Sequence, residues 1–335
     1  MGVRNTYIIA EAGVNHNGSL SIAKKLVDNA KMAGADCIKF QTFKTELLVT
    51  ADAPKAEYQK ENTGSNESQF EMLKKLELSY EDFKELYNYC GEVGIDFLST
   101  AFDLQSAEFL GALGMNRWKI PSGEITNRPL LEYIGSRKEK IILSTGMSDI
   151  SEVEEAVKVL KEAGASDIAL LHCTTQYPAP FESVNLRAIQ TMRERFGLET
   201  GYSDHTTGIE AGIAAVTLGA TILEKHFTLD RHMEGPDHKA SLEPEAFSKL
   251  VKAVRNIEVA LGDGRKEVQD VEKKNRKVAR KSIVAARDIS RGEVITSQML
   301  EMRRPGTGIS PMRINEVIGT TAIRDFKENE LIEID

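Results

Sequence analysis

The chain is short of the features that mark several common protein classes. Its 335 residues include three cysteines, Cys37, Cys90 and Cys173, an odd and sparse set without metal-type spacing. Such a set argues against a disulfide framework and fits reduced thiols in a cytoplasm. No apolar run approaches the ~20 residues of a membrane span. The opening Met-Gly-Val-Arg-Asn-Thr leads straight into a strand-like run and has no signal-peptide pattern, so a cytoplasmic location is expected. Low-complexity tracts are absent. Positive charge is also short, with 43 Lys and Arg against 51 Asp and Glu. The net charge of −8 argues against nucleic acid as a partner. An anionic ligand would need locally placed lysines or arginines, because the global field opposes it.

What the chain does have is a series of eight short apolar runs, each ending in residues able to do chemistry. Tyr-Ile-Ile-Ala ends at Glu11, Cys-Ile at Lys39 and Gln41, and Phe-Leu at Ser99-Thr100. Trp118 leads to Lys119, Ser122 and Glu124, and Ile-Ile-Leu leads to Ser144-Thr145. Ala-Leu-Leu leads to His172-Cys173-Thr174, Gly-Tyr to Ser203-Asp204-His205, and Ile-Leu to Glu224, Lys225 and His226. Most runs are followed by a stretch of helical composition. Eight strand–helix units in series predict an α/β fold, a closed parallel (β/α)8 TIM barrel with its active site at the C-terminal strand ends.

The periodicity places the first strands at 6–13 and 37–42, and later strands near residues 98, 119, 143, 170, 201 and 224. Residues 43–68 are polar, long and without clear period, and read as a flap over the site. Helices are expected over 68–77 and 80–93. A last amphipathic helix runs from Glu243-Pro244 to Leu261 and stops at Gly262-Asp263-Gly264. The barrel domain is therefore set at 1–264. Residues 265–281 are highly charged and read as a solvated linker or exposed helix. A β-branched-rich unit occupies 282–335. At about 55 residues it is marginal for independent stability and is expected to pack on the barrel or on a neighbouring subunit.

His205 and His226 end the seventh and eighth strands, where two imidazoles could share one divalent ion, or each could be a hydrogen-bonded histidine without metal. Lys39 and Lys119 fall among Thr100, Ser122, Ser144 and Ser203. Two ammonium groups ringed by hydroxyls suit a phosphate or carboxylate, although any one hydroxyl is as readily a helix cap. Glu11, Glu124 and Asp237 are candidate acid–base or orienting carboxylates, or structural ion pairs. Strand alternation points Lys225 away from the barrel interior, towards the helices and a carboxylate partner. Trp118 and Cys173 read as packing residues, and His16 as a cap or turn residue at least as readily as a catalytic one.

Several motifs resemble those of one family. They are Ile-Ala-Glu-Ala-Gly-Val-Asn-His-Asn-Gly (9–18), Ile-Lys-Phe-Gln-Thr (38–42), Lys-Ile-Pro-Ser-Gly-Glu (119–124) and Leu-Ser-Thr-Gly-Met (143–147). Leu-His-Cys-Thr-Thr-Gln-Tyr-Pro (171–178), Tyr-Ser-Asp-His-Thr (202–206), Glu-Lys-His-Phe-Thr (224–228) and Gly-Pro-Asp-His (235–238) complete the set. In this order they resemble the bacterial sialic acid synthases, and the tail with Arg304-Pro305-Gly306 resembles their small, mainly β antifreeze-like (SAF, β-clip) domain. The resemblance implies condensation of phosphoenolpyruvate with an N-acylated mannosamine-type sugar, giving a nine-carbon 2-keto acid and phosphate. It implies that His205 and His226 hold Mn²⁺ or Mg²⁺. Lys39, Thr100, Lys119, Ser122, Ser144, Thr175, Tyr177 and Ser203 match the phosphoenolpyruvate cradle. Gln41 and Glu124 match sugar contacts, and Glu11 and Asp237 the groups that orient water and move protons. Arg304 matches a sugar-facing residue that reaches the partner's barrel in a domain-swapped homodimer. Two positions depart from the pattern: Thr175 stands where some members carry Asn, and Ala101 where Pro is usual.

The acceptor is expected to be N-acetylmannosamine, giving N-acetylneuraminate. The alternative is a legionaminic acid synthase using 2,4-diacetamido-2,4,6-trideoxymannose. From other classes, a Schiff-base aldolase would use Lys39, Lys119 or Lys225 as nucleophile. A non-enzymatic docking or ice-binding tail would leave the barrel's polar ring unexplained.

Overall fold

The computed structural model describes residues 6–64 and 67–335. The chain forms two compact units, Met1–Asp263 and Gly264–Asp335. In the first, eight parallel strands close into a barrel in sequential order. They are β1 (Tyr7–Gly13), β2 (Cys37–Thr42), β3 (Asp96–Ala101), β4 (Arg117–Ile120), β5 (Lys140–Ser144), β6 (Ile168–His172), β7 (Glu199–Asp204) and β8 (Ile222–His226). Each coincides with one of the apolar runs.

Alternation sorts the side chains. On β1, Ile8 and Ala10 pack with Ala23, Leu26, Val27 and Ala30 of the helix Leu20–Met32, whereas Glu11 lines the barrel cavity. Trp118 is fully buried, with its indole N–H on Glu139 Oε2 at 2.5 Å, as its packing role requires. Lys225 also faces outward. Its ammonium donates to Asp204 Oδ2 at 2.8 Å and to the Thr206 carbonyl at 2.6 Å. The other Asp204 oxygen accepts from Thr206 N and Oγ1.

Register then fixes which residues meet. Glu11 pairs with Lys39 on one side and with His226 on the other. Gln41 pairs with Thr100, Thr100 with Lys119, and Ser203 with Glu224.

The segment after β2 is more ordered than its lack of period suggests. It contains the helices Thr45–Leu48 and Glu57–Thr63. The second is capped from inside, with Gln59 Oε1 accepting from Ala56 N at 3.0 Å, so no Ser, Thr, Asp or Asn announces it. Helices Gln69–Leu76 and Tyr80–Val93 follow, and Pro244–Leu261 closes the barrel unit.

In the second unit, β9 (Ser282–Ala285) pairs antiparallel with β10 (Leu300–Arg303) over a core that includes Ile283, Ile289, Val317 and Phe326. The charged stretch before it holds an exposed helix, Asp270–Ala279.

The buried Lys225–Asp204 pair yields a stability prediction. Both side chains are 0% exposed, so Lys225→Ala leaves a carboxylate buried without its cation. The expected loss is about 3–5 kcal/mol in urea denaturation. Replacing both partners, Asp204→Leu with Lys225→Met, should lose less. A Lys225→Ala variant as stable as the wild type would contradict this account.

Candidate active site

A cavity of about 400 Å³ opens at the C-terminal strand ends, and residues from all eight strands or the segments that follow them line it. Its floor is charged. Lys39 Nζ lies 2.6 Å from Glu11 Oε2 and 3.8 Å from Glu224 Oε2, and it donates to Thr100 Oγ1 at 3.3 Å. Lys119 Nζ lies 3.5 Å from Glu224 Oε1, which also accepts from Ser203 Oγ at 3.0 Å. Gln41 Nε2 donates to Glu11 Oε1 at 3.3 Å. All four charged residues are at most 4% exposed.

Burial acts differently on the two carboxylates. It pushes Glu11 up, and Lys39 offsets only part of that shift. Burial also opposes ionisation of Glu224, but Lys119 and Lys39, with the Ser203 bond, outweigh it and hold Glu224 well below the usual carboxylate range. Glu224 is therefore the fixed anion of the network, and Glu11 is able to carry a proton. Burial lowers the Lys119 amine despite Glu224. Across the cavity, Asp237 is raised to about 6, again by burial, with Lys39 opposing.

The hydroxyl wall is close-packed. Ser122 Oγ accepts from Gly146 N at 2.9 Å and sits 3.2 Å from Cys173 Sγ. A Cβ at Gly146 would lie 2.3 Å from Thr175 Oγ1 and 2.8 Å from Ser122 Oγ, so only glycine fits there. Ser144 Oγ and Thr175 Oγ1 are buried without a hydrogen-bond partner among the described residues. Unsatisfied hydroxyls on a cavity wall are what a polar ligand would complete. Ala101, at the position where proline is usual, does not free Thr100, which is fully buried in the β3 ladder.

The histidines form a second focus. The rings of His205 and His226 are 5.4 Å apart, and Tyr177 lies 4.3 Å and 5.4 Å from them respectively. His205 Nδ1 donates to the Thr174 carbonyl at 2.7 Å, which leaves Nε2 as the lone-pair nitrogen. His226 Nδ1 is buried without a partner. Burial lowers both imidazoles, His205 to about 4, so both are neutral near pH 7. Two neutral imidazoles, one with an orphaned nitrogen, fit a divalent ion. Among the described residues no group of three His, Cys, Asp or Glu gathers as a ligand set. An ion held here would keep positions for water and substrate.

One expected residue stands apart. Glu124 follows Gly123 on the rim but does not line the cavity, and it accepts from Asn127 Nδ2 at 2.6 Å. Arg304 belongs to the C-terminal unit, where it is exposed. Two residues had no role assigned from the sequence. Glu224 shares the inward face of β8 with His226, so the alternation that turns Lys225 outward also identifies it. The Tyr58 ring lies tilted against that of Tyr177, with centroids 5.0 Å apart, and comes from the aperiodic segment, where no pattern marks it.

Comparison with known proteins assigns the chain. The NeuB family model matches residues 26–266 and the SAF domain model matches 280–335. N,N'-diacetyllegionaminic acid synthase of Campylobacter jejuni is 51% identical, over 98% of this chain and 99% of its own. The enzyme of that name from Legionella pneumophila is 49% identical over 94% and 89%. A crystal structure of N-acetylneuraminic acid (sialic acid) synthetase from Leptospira borgpetersenii superposes with a TM-score of 0.72 at 36% identity, covering 82% of this chain and 91% of that one. The chain is a member of the NeuB family of nonulosonic acid synthases and ends in a SAF domain.

Proposed function

We propose that this protein joins phosphoenolpyruvate to 2,4-diacetamido-2,4,6-trideoxymannose, giving N,N'-diacetyllegionaminic acid and phosphate. The observation that carries the reading is the buried lysine pair sharing Glu224 beside two neutral histidines, in a chain 51% identical to a legionaminic acid synthase. The residues alone leaned to N-acetylmannosamine as acceptor. Two relatives near half identity support the diacetamido sugar instead, against 36% for a sialic acid synthetase.

In this reading Lys39 and Lys119 hold the donor's charged groups, and Thr100, Ser122, Ser144, Thr175, Tyr177 and Ser203 complete its hydrogen bonds. A divalent ion on His205 and His226, Mn²⁺ or Mg²⁺, would supply Lewis-acid polarisation of the open-chain sugar aldehyde. C3 of the donor forms the new bond to the aldehyde carbon, and Glu11, raised by burial, gives the proton that the aldehyde oxygen takes up. Positive charge at C2 develops near Glu224 and Asp237. Water adds at C2 and passes its proton to Asp237. The tetrahedral carbon then loses phosphate by C–O cleavage while its C2 hydroxyl proton goes to the departing phosphate, which leaves the 2-keto group.

No described helix is long and apolar enough to cross a membrane. The reading places the enzyme in the cytoplasm as a homodimer in which the C-terminal unit, with Arg304, completes the sugar site of the partner.

Two outcomes are expected. Phosphate release from phosphoenolpyruvate should require both acceptor and metal, stop with EDTA, and be fastest with the diacetamido sugar. Faster release with N-acetylmannosamine would overturn the acceptor. A borohydride-trapped pyruvate adduct without phosphate release would point to a lysine aldolase, the one reading that the lowered Lys119 amine favours. The second outcome concerns pH. A carboxyl raised to about 6 is protonated below that pH and loses its base form there, so kcat/KM should fall as pH drops below about 6. Asp237→Asn should lower kcat and abolish that acid limb. A limb that persists in the variant would place the base elsewhere.

A further inference from the structure

The chemistry above uses only part of the cavity wall. Much of the rest is apolar: Val14, Leu48, Met72, Leu73, Leu76 and Phe102. Val14, Met72 and Leu76 are buried with Phe43 in a small core separate from those of the barrel, and Leu48, Leu73 and Phe102 pack on it half-buried. An apolar strip beside two lysines and a ring of hydroxyls is a mismatch for phosphoenolpyruvate, and equally for a sugar carrying a hydroxyl at every free carbon.

The same segment brings two amides to the wall. Gln59 Oε1 accepts from the backbone N–H of Ala56 at 3.0 Å, which fixes the orientation of its amide. Gln69 Nε2 donates to that oxygen at 3.4 Å. Gln69 lines the cavity, and its Oε1 is the amide atom that Gln59 does not engage. A carbonyl oxygen next to an apolar strip complements the two parts of an acetamido group, a donor N–H beside a methyl.

We infer that this wall is the acceptor-selecting subsite: the apolar strip holds the C6 methyl and the acetamido methyl at C4, and Gln69 Oε1 takes the C4 amide N–H. The inference rests on the acceptor assignment above. A hydroxymethyl at C6 would bury its hydroxyl against Leu and Phe side chains without a partner. A bare C4 hydroxyl would leave part of the strip unfilled. Apolar walls discriminate modestly, about 10- to 100-fold for such differences. The expected selectivity is a preference and not an absolute exclusion.

The test measures kcat/KM for three acceptors: 2,4-diacetamido-2,4,6-trideoxymannose, N-acetylmannosamine, and 2-acetamido-2,6-dideoxymannose, which changes C6 alone. Leu48→Asn and Leu73→Asn lie on separate helices at half-buried positions, so the failure of one to fold leaves the other informative. Each is expected to lower the 6-deoxy over 6-hydroxy preference about 10- to 100-fold, mainly through the sugar KM, and to leave the phosphoenolpyruvate KM unchanged. Gln69→Leu should lower turnover of the diacetamido sugar at least tenfold. A uniform change across all three acceptors, or none, would mean that the strip is only the core of its own segment and would overturn the inference. If the wild type favours N-acetylmannosamine, the acceptor assignment itself fails. The wild-type ranking therefore separates the two failures.

Discussion

Everything at this site depends on four charges sharing one buried network. Barrel closure leaves the inward positions of β1, β2, β4 and β8 no other direction, and the parallel register sets Glu11 beside Lys39 and brings Glu224 within reach of both lysines. Any one of these groups buried alone would cost several kcal/mol and would shed its charge instead. Together they balance, and the balance is uneven. Glu224 is held as an anion by two cations, whereas Glu11 is close to giving up its charge. A polyanionic ligand entering such a network meets two ammonium groups already desolvated and oriented, which is the electrostatic preorganisation that acyl, phosphoryl and enol chemistry needs.

The loops above the network are tied to one another. Asn62 from the segment after β2 donates to the Pro236 carbonyl at 2.6 Å, and Asn17 from the β1 turn donates to the Glu234 carbonyl at 2.8 Å. His238 bridges Thr228 Oγ1 and Asn17 Oδ1. Ser241 Oγ donates to the Asp237 carbonyl at 2.7 Å, and Asn15 links Ser241 back to β1. Asp237 thus reaches the cavity on a stretch of backbone anchored from three directions. That suits a group whose task is to meet a water in one position.

Much of this was legible in the sequence. The eight strand ends were visible because each apolar run stops at a polar residue, and closure turns that pattern into a site. Lys225 was readable as an outward lysine from alternation alone, and the same rule applied one residue back turns Glu224 inward. Other features were not legible, for physical reasons. The helix Glu57–Thr63 is capped by its own Gln59, and its place over the cavity is set by contacts distant in sequence. Tyr58 and the apolar strip gain meaning only from tertiary position. Glu124 carries a motif match, yet its carboxylate is engaged by Asn127 and it is not among the residues that line the cavity. Choosing between two acceptors differing at C4 and C6 needed the relatives, because no single residue type encodes that choice.

The central claim is that the Lys39–Lys119 pair is the anion cradle. Calorimetric titration of phosphoenolpyruvate into the wild type and into Lys119→Met tests it directly. Loss of one charged hydrogen bond, about 1.5–3 kcal/mol, predicts affinity weakened about 10- to 100-fold in the variant. Equal affinity in the two proteins would place the donor elsewhere and contradict the account.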